Sequence, residues 1–311
     1  MRTQFPHLCL LFLGASLPTV SLAERLLLPP ADIDVVGRPM YAPAHPHETL
    51  LDVARRFDLG QNEILHANPG VDRWIPQEGS VVSIPGQYIL PDAERSGLVL
   101  NLPEMRLYYF PKPARGAAPV VITHPISVGR MDWETPLGRT TIIAKQRDPA
   151  WHPPKSLKEE AAVDGVILPD VVPAGPDNPL GRFALRLGVP GYLIHSTNKP
   201  YGVGMRVTHG CIRMYPEDIE TLFDAIPVGT PVQIVNQPVK LGWFADMLYM
   251  EIHPALEEHT DNPGNDLQTA FNMIAEFTRD RPVTINARAV RIAVQEQNGI
   301  PLPISLPDIG D

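Results

Sequence analysis

The sequence predicts a mainly β protein: a β-sandwich or barrel-like domain over 94–236, a small α+β (βααβ) unit over 39–86 and a small, partly helical appendage over 239–311. Three observations carry this. Between 94 and 236, short runs rich in β-branched residues recur between Pro and Gly punctuation, the pattern of many short strands. Only "PEDIETLFDAI" in that span spaces its apolar residues, Ile219, Leu222, Phe223 and Ile226, along one helical face. The 36 prolines are dispersed, which suits rigid loops and short strands rather than a disordered tract. A length of 311 residues leaves room for about two domains, each with its own core.

The elements follow in order. Residues 1–23 have the make-up of an export signal: Arg2, an apolar stretch over 8–20, then Ser21-Leu22-Ala23, with cleavage expected after Ala23. The apolar stretch falls short of the roughly 20 residues that a spanning helix needs, so no membrane anchor is expected after cleavage. Within 39–86, "ETLLDVARRFDL" places Leu50, Val53, Ala54 and Phe57 at helical spacing behind Thr49 as cap. "NEILHANP" gives a second short helix closed by Asn68-Pro69, and "GSVVSIP" a strand. "GLVLNL" and "RLYYF" read as strands joined through Pro103-Glu104, and "PVVITHPISVG", "RTTIIAKQ" and "GTPVQIVNQ" as further strands. The Pro-rich stretch 152–181 reads as a long loop, a length often used for a lid over a site. Trp151, beside His152 and a double proline, reads as a core tryptophan. After 239, "LYMEIHP" is strand-like. Two helices follow, one through Leu267, Phe271 and Ile274, the other from Asn286 to about Gln297 with Gly299 as its stop.

A net charge of −9, with no basic stripe, excludes a nucleic-acid partner. Export would also change the meaning of the cysteines. Cys9 leaves with the signal, and Cys211 remains alone in an oxidising compartment where structural cysteines come in pairs. A lone thiol there is either a small buried hydrophobe or a nucleophile.

Its neighbours favour the nucleophile. His195 ends the apolar strand "GYLIH", and fifteen residues separate it from Cys211 in Thr208-His209-Gly210-Cys211. Cysteine acyl chemistry needs a thiolate, an imidazole to take its proton, and backbone N–H groups where oxyanion charge develops. Gly210 lets the backbone approach a carbonyl closely, and the amides of Gly210 and Cys211, with His209, could serve that oxygen. Histidine before cysteine excludes the papain-like order. A zinc site from His195, His209 and Cys211 lacks a fourth ligand at a sensible spacing, so neither metal nor cofactor is expected. Lowering a thiol pKa from about 8.5 to about 6 gains roughly thirtyfold in thiolate but loses roughly tenfold in nucleophilicity. Most of the rate must therefore come from positioning, proton delivery and oxyanion donors.

The stretch resembles the L,D-transpeptidase catalytic (YkuD) family, whose motif is a strand-end histidine, a spacer, then Ser/Thr-His-Gly-Cys, a hydrophobic residue and Asn or Arg. Here that is His195, then Thr208-His209-Gly210-Cys211-Ile212-Arg213. "EMRLYYF", "TPLGRTTI", "VPAGPDNPLG", "IHSTN", "PVGTPVQIVNQPVK" and "NGIPLPIS" extend the resemblance to the periplasmic ErfK/YbiS/YcfS/YnhG group. Residues 39–86 resemble a LysM module, which binds peptidoglycan, although His47-Glu48 stands where a LysM usually has Gly-Asp.

The resemblance implies roles. Cys211 would attack the meso-diaminopimelate carbonyl of a peptidoglycan tetrapeptide stem and expel D-alanine, and carbapenems would acylate the same sulfur. His195 would be base, then acid. The Ser196 position would orient that imidazole through its backbone carbonyl. His209 would shape the site, and Arg213 would hold a carboxylate or the loop beneath it. The acceptor would be the lysine of a Braun-type outer-membrane lipoprotein, the favoured choice, or another stem's diaminopimelate. Two other functions compete: an L,D-carboxypeptidase that resolves the acyl-enzyme with water, and a catalytically silent wall-binding protein acting through its LysM unit.

Overall fold

The structure, a computed structural model, describes residues 24–259 and 266–307. The expected leader 1–23, with its cleavage point and Cys9, lies outside the described residues. Chain order begins β1 (Glu24–Leu27), β2 (Val35–Gly37), β3 (Met40–Pro43), α1 (Leu50–Arg56), α2 (Gln61–Ala67), β4 (Val81–Ile84) and β5 (Gln87–Ile89). Next come β6 (Gly97–Asn101), β7 (Arg106–Phe110), β8 (Val120–Pro125), β9 (Val128–Gly129), β10 (Gly138–Arg147) and α3 (Lys155–Val163). Then follow β11 (Phe183–Leu187), β12 (Leu193–His195), β13 (Arg206–Thr208), β14 (Ile212–Arg213), α4 (Pro216–Ala225) and β15 (Pro231–Val235). The chain continues with β16 (Val239–Phe244), β17 (Met247–Ile252), α5 (Leu267–Phe277), α6 (Ala287–Glu296) and β18 (Leu302–Pro303).

The expected mainly β class is what the chain adopts. A nine-stranded sheet, β1-β8-β7-β6-β15-β10-β11-β12-β14, curls as a half-barrel. Its pairs are antiparallel except β6 with β15 and β12 with β14. "RLYYF" is buried throughout because β7 is covered on both faces, its one charge, Arg106, being paired with Glu63. Leu107 and Tyr109 enter one core with Leu98, Leu100 and the α4 residues Ile219, Leu222 and Phe223. Tyr108 and Phe110 enter the other, with Val99, Val121, Val36 and Tyr88. The β2/β5 ribbon supplies that second cover.

In the βααβ unit, β3 pairs antiparallel with β4, and α1 and α2 close a core through Leu50, Val53, Ala54 and Ile64. Thr49 caps α1, its hydroxyl accepting from Asp52 N at 3.1 Å while Asp52 accepts from Thr49 N at 2.9 Å. Asn68 clasps α2 to β4, accepting from Ser83 N and donating to Ser83 O, both at 2.8 Å. The unit meets the sheet domain through side-chain pairs, Arg106 with Glu63 and Glu217 with Arg55, and at one point backbone to backbone. The amides of Gln61 and Asn62, opening α2, donate to the carbonyls of Val203 (2.9 Å) and Gly204 (3.1 Å). Gly60 and Gly204 approach so closely that a Cβ on Gly204, whose φ is +82°, would lie 2.3 Å from Gly60 Cα. The clasped segment lies in the spacer between His195 and Cys211.

The C-terminal part forms the three-stranded sheet β16-β17-β18 under α5 and α6. Glu104 lies in the turn between β6 and β7, as expected, and is buried there: Lys240 Nζ lies 2.8 Å from its carboxylate and 2.8 Å from that of Glu251. Two expectations change in detail. The left-handed residue ending α6 is Gln297 (φ 44°) rather than Gly299, which packs on the His253 ring. Stretch 152–181 is not all loop, since α3 lies inside it.

Candidate active site

β12 and β14 pair in parallel, Ile194 opposite Ile212 and His195 opposite Arg213. One step back along that register Cys211 lies beside Leu193, whose backbone meets the thiol. Side chains alternate between faces along a strand, and laterally paired residues share a face. Ile194 and Ile212 point into the core. Cys211, Arg213 and His195 therefore share the opposite face, and Cys211 is half-buried rather than sealed.

The His195 ring is held by its neighbour's backbone. The Ser196 carbonyl, not its hydroxyl, receives Nδ1 at 2.6 Å. A carbonyl can only accept, so Nδ1 carries the proton and a neutral ring keeps its lone pair on Nε2. Burial (5 % exposed), and then the Arg213 charge, push the His195 pKa down to about 4, against the pull of the Ser196 and Leu180 carbonyls. Burial pushes the Cys211 thiol up, opposed by the Leu193 backbone and Arg213. At neutral pH the resting pair is a thiol and a free base.

The 208–211 turn is built from several sides. Thr208 Oγ1 donates to the Cys211 carbonyl at 2.5 Å. Thr135 Oγ1 donates to the Gly210 carbonyl at 2.9 Å and accepts from Gly129 N at 3.0 Å, which gives the "TPLG" segment a structural task. Gly210 sits at φ +88°, and a Cβ there would fall 2.7 Å from the Tyr192 ring. Outside helices and strands, the amides of Gly210 and Cys211 donate to no backbone carbonyl among the described residues.

His209 turns toward the 152–181 excursion. Its ring meets Trp133 edge-on at 5.2 Å, and Nε2 lies 3.0 Å from Glu160 on α3. Arg130 also pairs with Glu160, and these two partners hold that carboxyl below the usual range. The base of the excursion is pinned by buried Asn178, whose amide donates to the carbonyls of Pro149 (2.8 Å), Pro173 (3.1 Å) and Val172 (3.2 Å). Trp151, expected in the core, is half-buried and bridges to Val172 at the same base. Arg213 forms no carboxylate ion pair among the described residues, and its Nε is buried without a hydrogen-bond partner.

Glu160, Thr135, Trp133 and Tyr192 join the site unannounced by single-residue reasoning. Only the missing Cβ of Gly210 hinted at a ring close by. A cavity of about 660 Å³ opens beside Ser196 and Thr197, and Asp148, Glu217 and Glu220 contribute to its lining.

Comparison with known proteins matches residues 95–234 to the family described as the YkuD L,D-transpeptidase catalytic domain. The probable L,D-transpeptidase YcfS of Escherichia coli is 36% identical over 313 residues, covering 98% of this chain and 96% of that protein. The probable L,D-transpeptidase ErfK/SrfK of the same organism is 39% identical over 292 residues, covering 92% of each. The probable L,D-transpeptidase YbiS is 44% identical over 205 residues, 65% of each.

Proposed function

The chain belongs to the L,D-transpeptidase (YkuD) family, and from that premise we propose that it is an exported, periplasmic cysteine acyltransferase in which Cys211 and His195 work on peptidoglycan tetrapeptide stems. It is an enzyme of the L,D-transpeptidase kind, acting on peptidoglycan. His195 Nε2 takes the thiol proton as the Cys211 sulfur bonds to the meso-diaminopimelate carbonyl carbon. The bond from that carbon to the D-alanine nitrogen then breaks, and His195 returns the proton to the leaving amine. An acceptor amine attacks the thioester and loses its proton through His195. An amide forms and the thiol is restored.

The observation that carries this reading is the β12/β14 register, which directs a half-exposed thiol and a neutral imidazole to one face. The unspent Gly210 and Cys211 amides suit the oxyanion, and the Arg213 guanidinium, without a carboxylate of its own, suits a stem carboxylate. The acceptor would be a cationic amine such as a lipoprotein lysine or a second diaminopimelate; of the carboxylates lining the cavity, Asp148 and Glu217 already pair with Arg182 and Arg55, which leaves Glu220 to receive it. The βααβ unit would hold the glycan as a LysM-like module. Tetrapeptide muropeptides mixed with a lysine-terminated peptide should release D-alanine and yield an amide adduct. Intact mass should show a carbapenem adduct on wild type and none on Cys211→Ala. An adduct on Cys211→Ala would overturn the assignment of the nucleophile, and free tripeptide without amide adduct would turn the enzyme into a hydrolase.

A further inference from the structure

Away from Cys211, three side chains from distant parts of the chain meet inside the protein. Asp58 follows α1, His124 lies on β8 and Asp218 is in the first turn of α4, with exposures of 5 %, 1 % and 2 %. His124 Nδ1 stands 3.5 Å from Asp58 Oδ2 and 3.5 Å from Asp218 Oδ1. Both separations exceed the roughly 2.7–3.2 Å of a good N–H···O bond. His124 Nδ1, Asp58 Oδ2 and Asp218 Oδ2 are buried without any hydrogen-bond partner. Unpaired polar atoms at such depth are costly, and three converge here.

The spacing fits a different bond. Ligand atoms about 2.0–2.1 Å from one tetrahedral ion stand about 3.3–3.4 Å apart. The ligand atoms of the three groups lie within 4.8 Å of one another. The second such cluster, Glu104, Glu251 and His253, already holds a cation, because the Lys240 ammonium lies 2.8 Å from each carboxylate. In the first cluster no ammonium or guanidinium among the described residues plays that part, and the only cationic partner is the His124 ring itself. Arg106 reaches Asp58 only at its backbone carbonyl (3.1 Å) and pairs with Glu63 at 2.7 Å. The two carboxylates lift the His124 pKa to about 9, so its imidazolium is their counter-charge until a divalent ion displaces that proton; the ion, a neutral imidazole and two carboxylates then sum to zero charge.

We propose that Asp58, His124 and Asp218 form a binding site for a divalent transition-metal ion of the zinc type, which ties the βααβ unit to the main sheet and to α4. The donors are nitrogen and carboxylate oxygen, which zinc accepts. A water or a second carboxylate oxygen completes four-coordination. The ion holds together segments that lie on either side of the Gly60–Gly204 contact and has no part in the chemistry at Cys211.

The test uses the mature full-length protein, stripped with a chelator and titrated with Co²⁺ and then Zn²⁺. One equivalent of Co²⁺ should bind with the intense visible bands of a tetrahedral site and without thiolate charge transfer in the near ultraviolet. Zn²⁺ should displace it and raise the thermal midpoint. Asp58→Asn and Asp218→Asn, near-isosteric and checked for fold by circular dichroism, should each weaken binding at least tenfold, while Cys211→Ser keeps it. Absence of stoichiometric metal in equilibrium dialysis overturns the proposal, as does a thiolate band or loss of binding in Cys211→Ser. Should either Asn variant fail to fold, the wild-type cobalt spectrum decides alone.

Discussion

His195 is asked to accept a proton while buried, and its surroundings make it a weak base. Its pKa of about 4 means that the neutral form persists far below the ordinary imidazole range. Two outcomes follow from that depression. The acid limb of kcat/KM should fall near pH 4 rather than near 6.5, and Arg213→Gln should move that limb upward by removing the second-largest cause of the depression. Below about pH 6.5 the unfolded chain binds a proton at this residue that the folded chain does not. Stability should therefore drop between about pH 6.5 and 4, by about 3 kcal/mol from this group, and the loss should level off below pH 4. Urea titrations of wild type and His195→Gln across that window check the sign: the variant should lose less. At this scale the sequence carried much of the site, because His195 and the Gly210-Cys211 pair stand in one short motif, divided by a spacer of fifteen residues between His195 and Cys211. It did not carry Glu160 or Thr135, which reach the turn from 49 and 75 positions away.

Among the elements, α3 departs most from expectation. "KSLKEEAAV" has good helix formers but buries none of them, so no apolar stripe marks it, and the surrounding prolines made the stretch read as loop. Pro154 sits at the N-cap, where the missing N–H costs nothing. The helix is held to the site by the Glu160 contacts with His209 and Arg130, both partly exposed. Exposed pairs contribute little to global stability. Glu160→Gln should thus leave the thermal midpoint within about a degree of wild type. It should raise hydrogen exchange across 155–163 and lower kcat/KM, and these effects should weaken in high salt, where wild type approaches the variant. By contrast α1, α2, α4, α5 and α6 were legible because each has an apolar face turned to a core. Edge strand β1 and the ribbon β2/β5 escaped notice, since three or four residues give too short a period to count.

For the whole molecule, the βααβ unit and the main sheet domain meet where two glycines touch. Composition cannot disclose such a contact, because neither glycine signals its partner. Gly204→Ala would add a methyl group 2.3 Å from the Gly60 backbone and force an alanine to φ +82°. Gly229→Ala, at φ +91° in open space, isolates the backbone term. The second variant should cost about 1–2 kcal/mol and the first at least about 2 kcal/mol more, read as denaturation midpoints. If the two variants cost the same, the contact is not tight.

At its tightest point this seam is main chain against main chain, and that has a consequence for tinkering. Side chains at an ordinary boundary can trade bulk with one another, so one partner can be replaced and the other adjusts. At the Gly60–Gly204 contact there is no bulk to trade. A foreign glycan-binding segment grafted ahead of this sheet would dock only if it also offered a bare α-carbon and two free amides at the start of its second helix.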